Sequence, residues 1–284
     1  MGVNNSLAPK QPPRLGLTAY LTQDAVKDQI SKVVGGKDGQ RFISSIISAV
    51  NTNPTLQQCT NQSILSGALL GEALKLSPSP QLGQFYLVPY DDKDRGKVAQ
   101  FQLGYKGYIQ LAIRSGQYKK LNVLAIKEGE LVRFDPLNEE IEVKLIEDEE
   151  KREQANTIGY YAMFEYVNGF KKAIYWSRTK MEAHALKYSP GYKRDKQKGT
   201  AWTFWSKDFD GMAYKTMLRQ LISKWGIMSI EMTMAMDSDM AVINEDGTKN
   251  YVETEEDVID VEANEIPAEP VTETTDAQAA LFGN

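Results

Sequence analysis

The stretch TIGYYAMFEYVNGFKKAIYW (residues 157–176) decides the fold class of this 284-residue chain. Two runs rich in aromatic and β-branched residues, Thr157–Val167 and Phe170–Trp176, flank the pair Asn168-Gly169. An Asn-Gly pair readily adopts the positive φ angles of a two-residue hairpin turn. The stretch therefore predicts two antiparallel strands.

Further strands are predicted upstream of this hairpin. A second hairpin is expected around the polar turn Asp91–Lys97, and shorter extended runs follow it. The predicted ranges are 84–90, 98–103, 121–126, 131–134 and 141–146. Together with 157–176 they indicate a small antiparallel sheet.

Helical periodicity dominates both ends of the folded part. Three amphipathic helices are predicted in a lobe at about 20–76, opened at Thr22, around Phe42 and at Asn61. A helix at Gly104–Gly116 follows the first hairpin. After the sheet, a short helix is expected from Ser177 or Thr179. A loop with Pro190, Gly191 and Gly199 comes next, and then a long helix from about Trp202 to Trp225. The predicted class is α+β, with a small antiparallel sheet and a β-hairpin backed by a long helix, plus an N-terminal helical lobe.

The charge distribution divides the chain. Residues 231–284 hold fifteen acidic residues and one basic residue, whereas 1–230 hold 32 basic and 23 acidic residues, a formal net charge of +9. We predict a flexible arm at 1–14, a core at 15–235 and a mostly disordered acidic tail at 236–284. Within the core, the lobe (about 20–76) precedes the hairpin and sheet (about 83–176) and the C-terminal helices (about 178–235). A cationic body favours a polyanionic partner.

The composition removes several function classes. One cysteine, Cys59, excludes an internal disulfide and a thiolate metal cluster, and His184 is the only histidine. There is no phosphate-binding G-x-x-x-x-G-K-[ST] motif, no secretory signal and no apolar run of membrane length. We expect a cytoplasmic protein that is not an enzyme and needs no cofactor. The alternative that the Asp91–Asp94 turn loosely binds a magnesium ion is left open.

Two cationic stretches carry most of the positive charge. Lys93–Lys127 has eight basic residues and one acidic residue, and Lys171–Lys224 has thirteen and four. A solvated surface is the ordinary interpretation of such stretches. However, helical spacing predicts carboxylate-free stripes in both, and aromatic residues are interleaved with the cations of the second. We predict nucleic-acid binding, with the two stretches converging in one trough. The predicted DNA-binding residues are Lys97, Tyr105, Lys106, Gln110, Arg114, Lys119, Lys120, Arg178, Lys180, Lys193, Arg194, Lys196, Lys198, Trp202, Lys207, Lys215 and Arg219.

Four motifs resemble the RecT family of phage recombination proteins. They are GQFYLVPY (83–90), GYKGY (104–108) with AIRSG (112–116), MAYKTMLRQL (212–221) and KWG (224–226). The resemblance covers roughly residues 20–230. It implies annealing of single-stranded DNA without ATP, assembly into rings or helical filaments, and a small sheet backed by a long helix. It also places Lys106, Arg114, Lys215 and Arg219 near the nucleic acid.

The resemblance also implies a setting and partners. The expected partners are single-stranded DNA, the annealed duplex, further copies of the chain, a phage exonuclease and a host single-strand-binding protein. The expected place is the cytoplasm of a bacterial host, with a phage or prophage origin.

Alternatives remain open at this point. One is a protective single-strand-binding protein without annealing activity. The other is a metal-dependent nuclease using Asp91, Asp92 and Asp94. The acidic tail is expected to compete with DNA, to dock a basic partner, or only to improve solubility.

Overall fold

The N-terminal lobe packs four helices around one apolar cluster. The computed structural model describes residues 15–35 and 38–251; the predicted arm at 1–14 and the tail from 252 onward lie outside the described residues. The lobe comprises α1 (Leu17–Leu21), α2 (Asp24–Val34), α3 (Gly39–Asn51), a 3-10 helix (Leu56–Gln58) and α4 (Asn61–Ala73). Ile30, Ile46 and Leu65, from three of these helices, are buried together. The three predicted helices are present, α1 is additional, and Thr60 caps α4 in place of Asn61.

A long hairpin lies against the last helix of the lobe. Strands β1 (Phe85–Asp92) and β2 (Gly96–Leu103) pair in unbroken register from Phe85↔Leu103 to Asp92↔Gly96. Two glycines of α4 allow close approach. A Cβ on Gly71 would lie 2.3 Å from the Phe85 ring, and one on Gly67 would lie 2.7 Å from Leu87. A side chain at Gly71 would displace the Phe85 ring, and one at Gly67 would require the Leu87 side chain to shift.

The predicted sheet forms after the next helix. The elements are α5 (Tyr105–Arg114), β3 (Tyr118–Lys127), β4 (Leu131–Asp135), β5 (Glu140–Val143), α6 (Glu149–Gln154), β6 (Thr157–Tyr166) and β7 (Lys171–Ser177). The main sheet has the antiparallel order β3-β6-β7, and β4 and β5 form a separate two-stranded ribbon. The hairpin at Asn168-Gly169 is confirmed, with Gly169 at φ +88°. The fifth strand ends at Val143, earlier than the predicted Ile146.

The C-terminal part contains α7 (Arg178–Tyr188), α8 (Pro190–Lys198), α9 (Phe204–Lys207), α10 (Phe209–Trp225) and α11 (Ile230–Ser238). Of these helices, α7 and α10 pack against the main sheet, whereas α11 packs against α5 and the first hairpin. Tyr160, Ala162 and Phe164 alternate along β6 and are fully buried with Met217 and Leu221 of α10. This packing confirms the α+β class and the helix-backed sheet.

Two predictions in this region are wrong. The segment predicted as a loop at 190–199 is helix α8, because Pro190 starts it and Gly199 ends it in the left-handed conformation. The long helix does not begin at Trp202. Asp208 interrupts it by accepting a hydrogen bond from the Gly211 amide and capping α10.

The first hairpin gains two more strands from the end of the described chain. Strands β8 (Ala241–Ile243) and β9 (Lys249–Tyr251) give the sheet order β1-β2-β8-β9. The sequence assigns residues 236–251 to the disordered tail, so the ordered part extends further than predicted. Three-residue strands carry too little periodicity to be detected in a sequence. Within the described ranges, no helix combines the length and apolar character needed to cross a membrane.

Candidate nucleic-acid interface

The start of α5 and the segment before α10 meet beside the first hairpin. The Tyr86 ring of β1 lies 5.5 Å from the Phe204 ring of α9. Gly83 approaches both Tyr86 and Lys106, because a Cβ built on it would lie 3.0 Å from the Tyr86 hydroxyl and 3.4 Å from the Lys106 Cδ. Tyr86 therefore lies beside Phe204 of the second cationic stretch and near Lys106 of the first. We call the surface formed by Tyr86, Lys106 and residues 193–207 the junction surface.

The junction surface carries exposed cations and an exposed tryptophan. Lys106, Lys193, Arg194, Lys198 and Lys207 are exposed, and no described carboxylate lies within 4.0 Å of any of them. Trp202 has 79% of its surface exposed, and Phe204 has 42%. Positive charge and accessible aromatic faces are therefore present together. They are the two features that single-strand binding sites combine.

Four of the predicted DNA-binding cations have side-chain partners, and three of these partners are carboxylates. Lys196 lies 2.9 Å from Glu182, which raises the pKa of Lys196, and Lys97 lies 2.7 Å from Asp91. Arg178 lies 3.6 Å from Asp210 and stacks on Phe209. The remaining case is Lys180, which lies over the Trp176 ring at 4.5 Å. Exposed ion pairs are weak, so these side chains can still exchange partners.

The predicted carboxylate-free stripe on the last helix is wrong in its geometry. Lys215 is only 7% exposed, and its Nζ lies 2.9 Å from Asp239 Oδ1. An Arg219 nitrogen lies 2.9 Å from Asp239 Oδ2, and the Leu103 amide donates to the same carboxylate. Asp239 follows α11, so it binds α10 to β2 from outside both elements. Lys215 is a structural cation, and Arg219 shares its charge with Asp239.

Of the other predicted α5 residues, Arg114 has backbone partners, Gln110 is half-buried, and Tyr105 packs against α10 beside Lys106. Arg114 donates to the carbonyl oxygens of Leu74 and Lys75, at 2.6 and 3.3 Å, beyond the end of α4. Gln110 lies one turn before it and is half-buried. Tyr105 packs edge-on against Tyr214 of α10, with ring centroids 5.6 Å apart.

Lys119 and Lys120 form a separate cationic cluster with Lys171. All three surround the buried Glu165, at 2.7, 3.9 and 3.6 Å respectively. The hydrogen bond from Lys119 holds the pKa of Glu165 below its usual value, so the cluster keeps two excess positive charges. An open groove of about 450 Å³, lined in part by Ile109 and Lys119, lies between α5 and β3 here.

This cluster lies far from the helix that follows β7. Lys120, Glu165 and Lys171 share one end of the sheet register, and Gly159 and Ser177 share the other. Six strand positions separate the ends, which is roughly 20 Å. The register therefore separates Lys119 and Lys120 from the start of α7. Lys106 and Phe204 both lie near Tyr86. The convergence of the two cationic stretches in one trough stays a prediction.

The carboxylates of the first hairpin turn face cations. Asp92 accepts hydrogen bonds from the Arg95 side chain and from the amides of Asp94 and Arg95, which lower the pKa of Asp92 to about 2. Asp91 faces Lys97. Across the described residues, no group of three or more metal-ligating side chains is present. The geometry of this turn gives the nuclease alternative no support.

Similarity to known proteins gives the family. The sequence profile of the RecT family matches residues 40–259. The chain belongs to the RecT family. It is 41% identical over 245 residues to "Uncharacterized protein YqaK" of Bacillus subtilis (strain 168), which covers 86% of this chain and 77% of that protein. It is 27% identical to "Protein RecT" of Escherichia coli (strain K12), covering 82% and 83% of the two chains.

RecT-family membership supports a role in DNA recombination and strand annealing, with binding of single-stranded DNA. The matched range includes α5, the main sheet and α10, and hence every predicted DNA-binding residue. It also includes β8 and β9, which the resemblance noted in the sequence did not reach.

Sequence reasoning missed two buried carboxylates that organise this region. Asp239 holds α10, as described above, and Asp195 of α8 accepts hydrogen bonds from the segment that carries Trp202. A partial signal for Asp195 was present. Thr200, Thr203 and Ser206 follow it closely, and such donors commonly satisfy a buried carboxylate.

Proposed function

We propose that this protein anneals complementary DNA strands without ATP and that the junction surface holds the first strand. The observation that carries the proposal is a set of exposed cations beside exposed aromatic rings, none of them within reach of a described carboxylate. The cations are Lys106, Lys193, Arg194, Lys198 and Lys207. Family membership supports the same role.

The mechanism follows from what these groups can bind. Ammonium and guanidinium groups hold phosphates, which carry no sequence information, so binding is general. The base edges stay accessible to a second strand. Cations lower the repulsion between the two backbones, and base pairing supplies the driving free energy. No nucleotide hydrolysis and no catalytic residue are required.

Assembly and partners belong to the same proposal. Successive copies in a ring or helical filament would join their junction surfaces into a continuous cationic path in the bacterial cytoplasm. The strand would come from an exonuclease, and a host single-strand-binding protein would be displaced from it. Any magnesium ion would bind loosely and take no part in the chemistry.

Charge reversal at the junction surface tests the site. We expect Lys106→Glu and Lys207→Glu to weaken binding of every single-stranded sequence alike. For each phosphate that the variant no longer neutralises, the slope of log affinity against log salt should become shallower by about 0.7. Lys32→Glu, an exposed lysine on α2, is the matched control. Equal affinities and equal slopes for all three variants and the wild type would show that DNA binds elsewhere.

A mixing assay separates annealing from protection. Two complementary labelled oligonucleotides are mixed with the protein, with no ATP present, and duplex formation is followed by fluorescence. Faster pairing than in the protein-free mixture supports annealing. Tight binding without acceleration would identify a protective binding protein. Magnesium-dependent degradation that disappears in Asp92→Ala would identify a nuclease.

A further inference from the structure

We propose that Trp202 is a stacking platform for an unpaired nucleobase and that Asp195 is the positioning residue that presents it. The inference rests on the DNA-binding role proposed above and names the chemical group that the site recognises.

Asp195 organises the whole segment between α8 and α9. Its carboxylate is buried and accepts five hydrogen bonds. Oδ1 accepts from the Thr200 hydroxyl at 2.6 Å. Oδ2 accepts from the amides of Trp202 and Thr203 at 3.0 and 2.8 Å, and from the hydroxyls of Thr203 and Ser206 at 2.8 and 2.7 Å. These bonds, led by that from Thr200, hold the pKa of Asp195 well below its usual value. The carboxylate therefore stays charged at neutral pH and fixes the backbone on both sides of Trp202.

Two tryptophans of this segment have opposite environments. Trp205 is buried against Tyr192 and Phe209, with ring centroids 6.1 and 5.1 Å away. Trp202 is three residues earlier and is largely exposed, although its own amide is bonded to Asp195. The hydrogen-bonded backbone at Trp202 therefore holds the indole in an exposed position. A fixed backbone leaves the ring less conformational entropy to lose on binding.

The surroundings of Trp202 select the ligand class. Lys193, Arg194 and Lys198 lie on the adjoining helix α8, and Phe204 joins the loop to Tyr86. A flat aromatic face among cations matches a ligand with aromatic faces on an anionic backbone, which is a single strand of nucleic acid. In a duplex the base faces are covered by their neighbours. The indole therefore favours an unpaired base.

The experiment compares two oligonucleotides of equal length, oligothymidine and the same backbone with abasic sites. Both present phosphates, but only the first presents bases. Full-length wild type should bind oligothymidine more tightly than the abasic strand. Trp202→Ala should reduce that preference about 5-fold or more and leave the salt slope unchanged, whereas Trp202→Phe should keep most of it. Trp225→Ala, at an exposed tryptophan of α10, should behave as wild type.

The Asp195→Asn variant should lose the preference for oligothymidine over the abasic strand, as the Trp202→Ala variant does. Its salt slope should stay unchanged. Glu182→Gln is its matched control, because Glu182 bonds Lys196 and Tyr192 of α8 but not the loop. Thr200→Val, which removes the single bond to Oδ1, replaces Asp195→Asn if that variant does not fold.

The outcomes are distinct. If Trp202→Ala keeps the preference for bases, the stacking inference is wrong and the proposed function stands. If Trp202→Ala loses the preference for bases but the Asp195 and Thr200 variants keep it, the positioning role assigned to Asp195 is wrong. Wild type that binds neither strand would instead refute the proposed function.

Discussion

At the scale of single residues, Asp239 is the charge on which the C-terminal part depends. It is buried between Lys215 and Arg219, and it also accepts the Leu103 amide. Removing one partner of a buried ion pair leaves the other charge uncompensated, which costs about 3–5 kcal/mol. We expect Asp239→Ala to lower the free energy of unfolding by that amount in urea titrations. Asp237→Ala, two residues earlier and exposed, should change it by less than about 0.5 kcal/mol. Equal effects of the two changes would contradict the role assigned to Asp239.

The same residues show what periodicity can and cannot predict. Helical spacing correctly placed Lys215 and Arg219 on one face of α10. It could not show that Asp239, in the turn after another helix, returns to neutralise that face. Lys106 was predicted correctly as an exposed cation because its helix meets the core with Tyr108 and Ala112, which leaves the opposite face to solvent. That Lys106 and Phe204, about a hundred residues apart, both lie near Tyr86 could be learned only from the tertiary fold.

At the scale of elements, helix α7 carries the only histidine in a setting that opposes its protonation. His184 packs against Trp176 and Tyr188. Burial, and then the nearby charges of Arg219, Lys187 and Lys180, lower its pKa to about 4 from an ordinary 6.5. Between pH 4 and pH 6.5 the unfolded chain therefore binds more protons at this site than the folded chain. The contribution of His184 to stability is full above pH 6.5 and is lost as the pH falls toward 4.

A single imidazole makes this prediction direct to test. Its NMR resonance should titrate with a midpoint near pH 4. Wild type should also lose more stability between pH 7.5 and pH 5 than His184→Phe, which keeps an aromatic ring in the same place but cannot be protonated. A midpoint near 6.5, or the same pH dependence in both proteins, would show that α7 does not oppose protonation.

Element boundaries were predicted well where one residue type fixes the backbone and poorly where a residue has two uses. Asn168-Gly169 fixed the central hairpin, and of the two residues expected to start α7, Ser177 and Thr179, Ser177 caps it by accepting a hydrogen bond from the Lys180 amide. Pro190 and Gly199 are loop formers in general. They also suit the first turn and the end of a helix, and here they delimit α8. Only the burial of Tyr192 and Asp195 on one side of that helix distinguishes the two uses.

At the scale of the whole molecule, charge is segregated along the chain. The residues after Tyr251 include ten acidic and no basic side chains, so removing them changes the formal net charge from −5 to +5. A polyanion that is covalently attached to a cationic chain has a high effective concentration for the cations of that chain. It is therefore expected to compete with DNA phosphates, and salt should weaken this competition.

The position of the cut decides whether this competition can be measured. Truncation at residue 245 would remove β9 from the sheet, so the chain should end after Tyr251. We expect this truncation to raise affinity for single-stranded DNA several-fold at low salt. Salt screens the attraction of the cations both to the tail and to DNA. The higher DNA affinity of the truncated protein should therefore vanish as the salt concentration increases. A full-length variant with the ten acids changed to Asn or Gln should match the truncated protein, since charge and not length is the cause. If the truncated and full-length proteins bind DNA equally at low salt, the tail does not occupy the DNA site, and docking of a basic partner becomes the function to test.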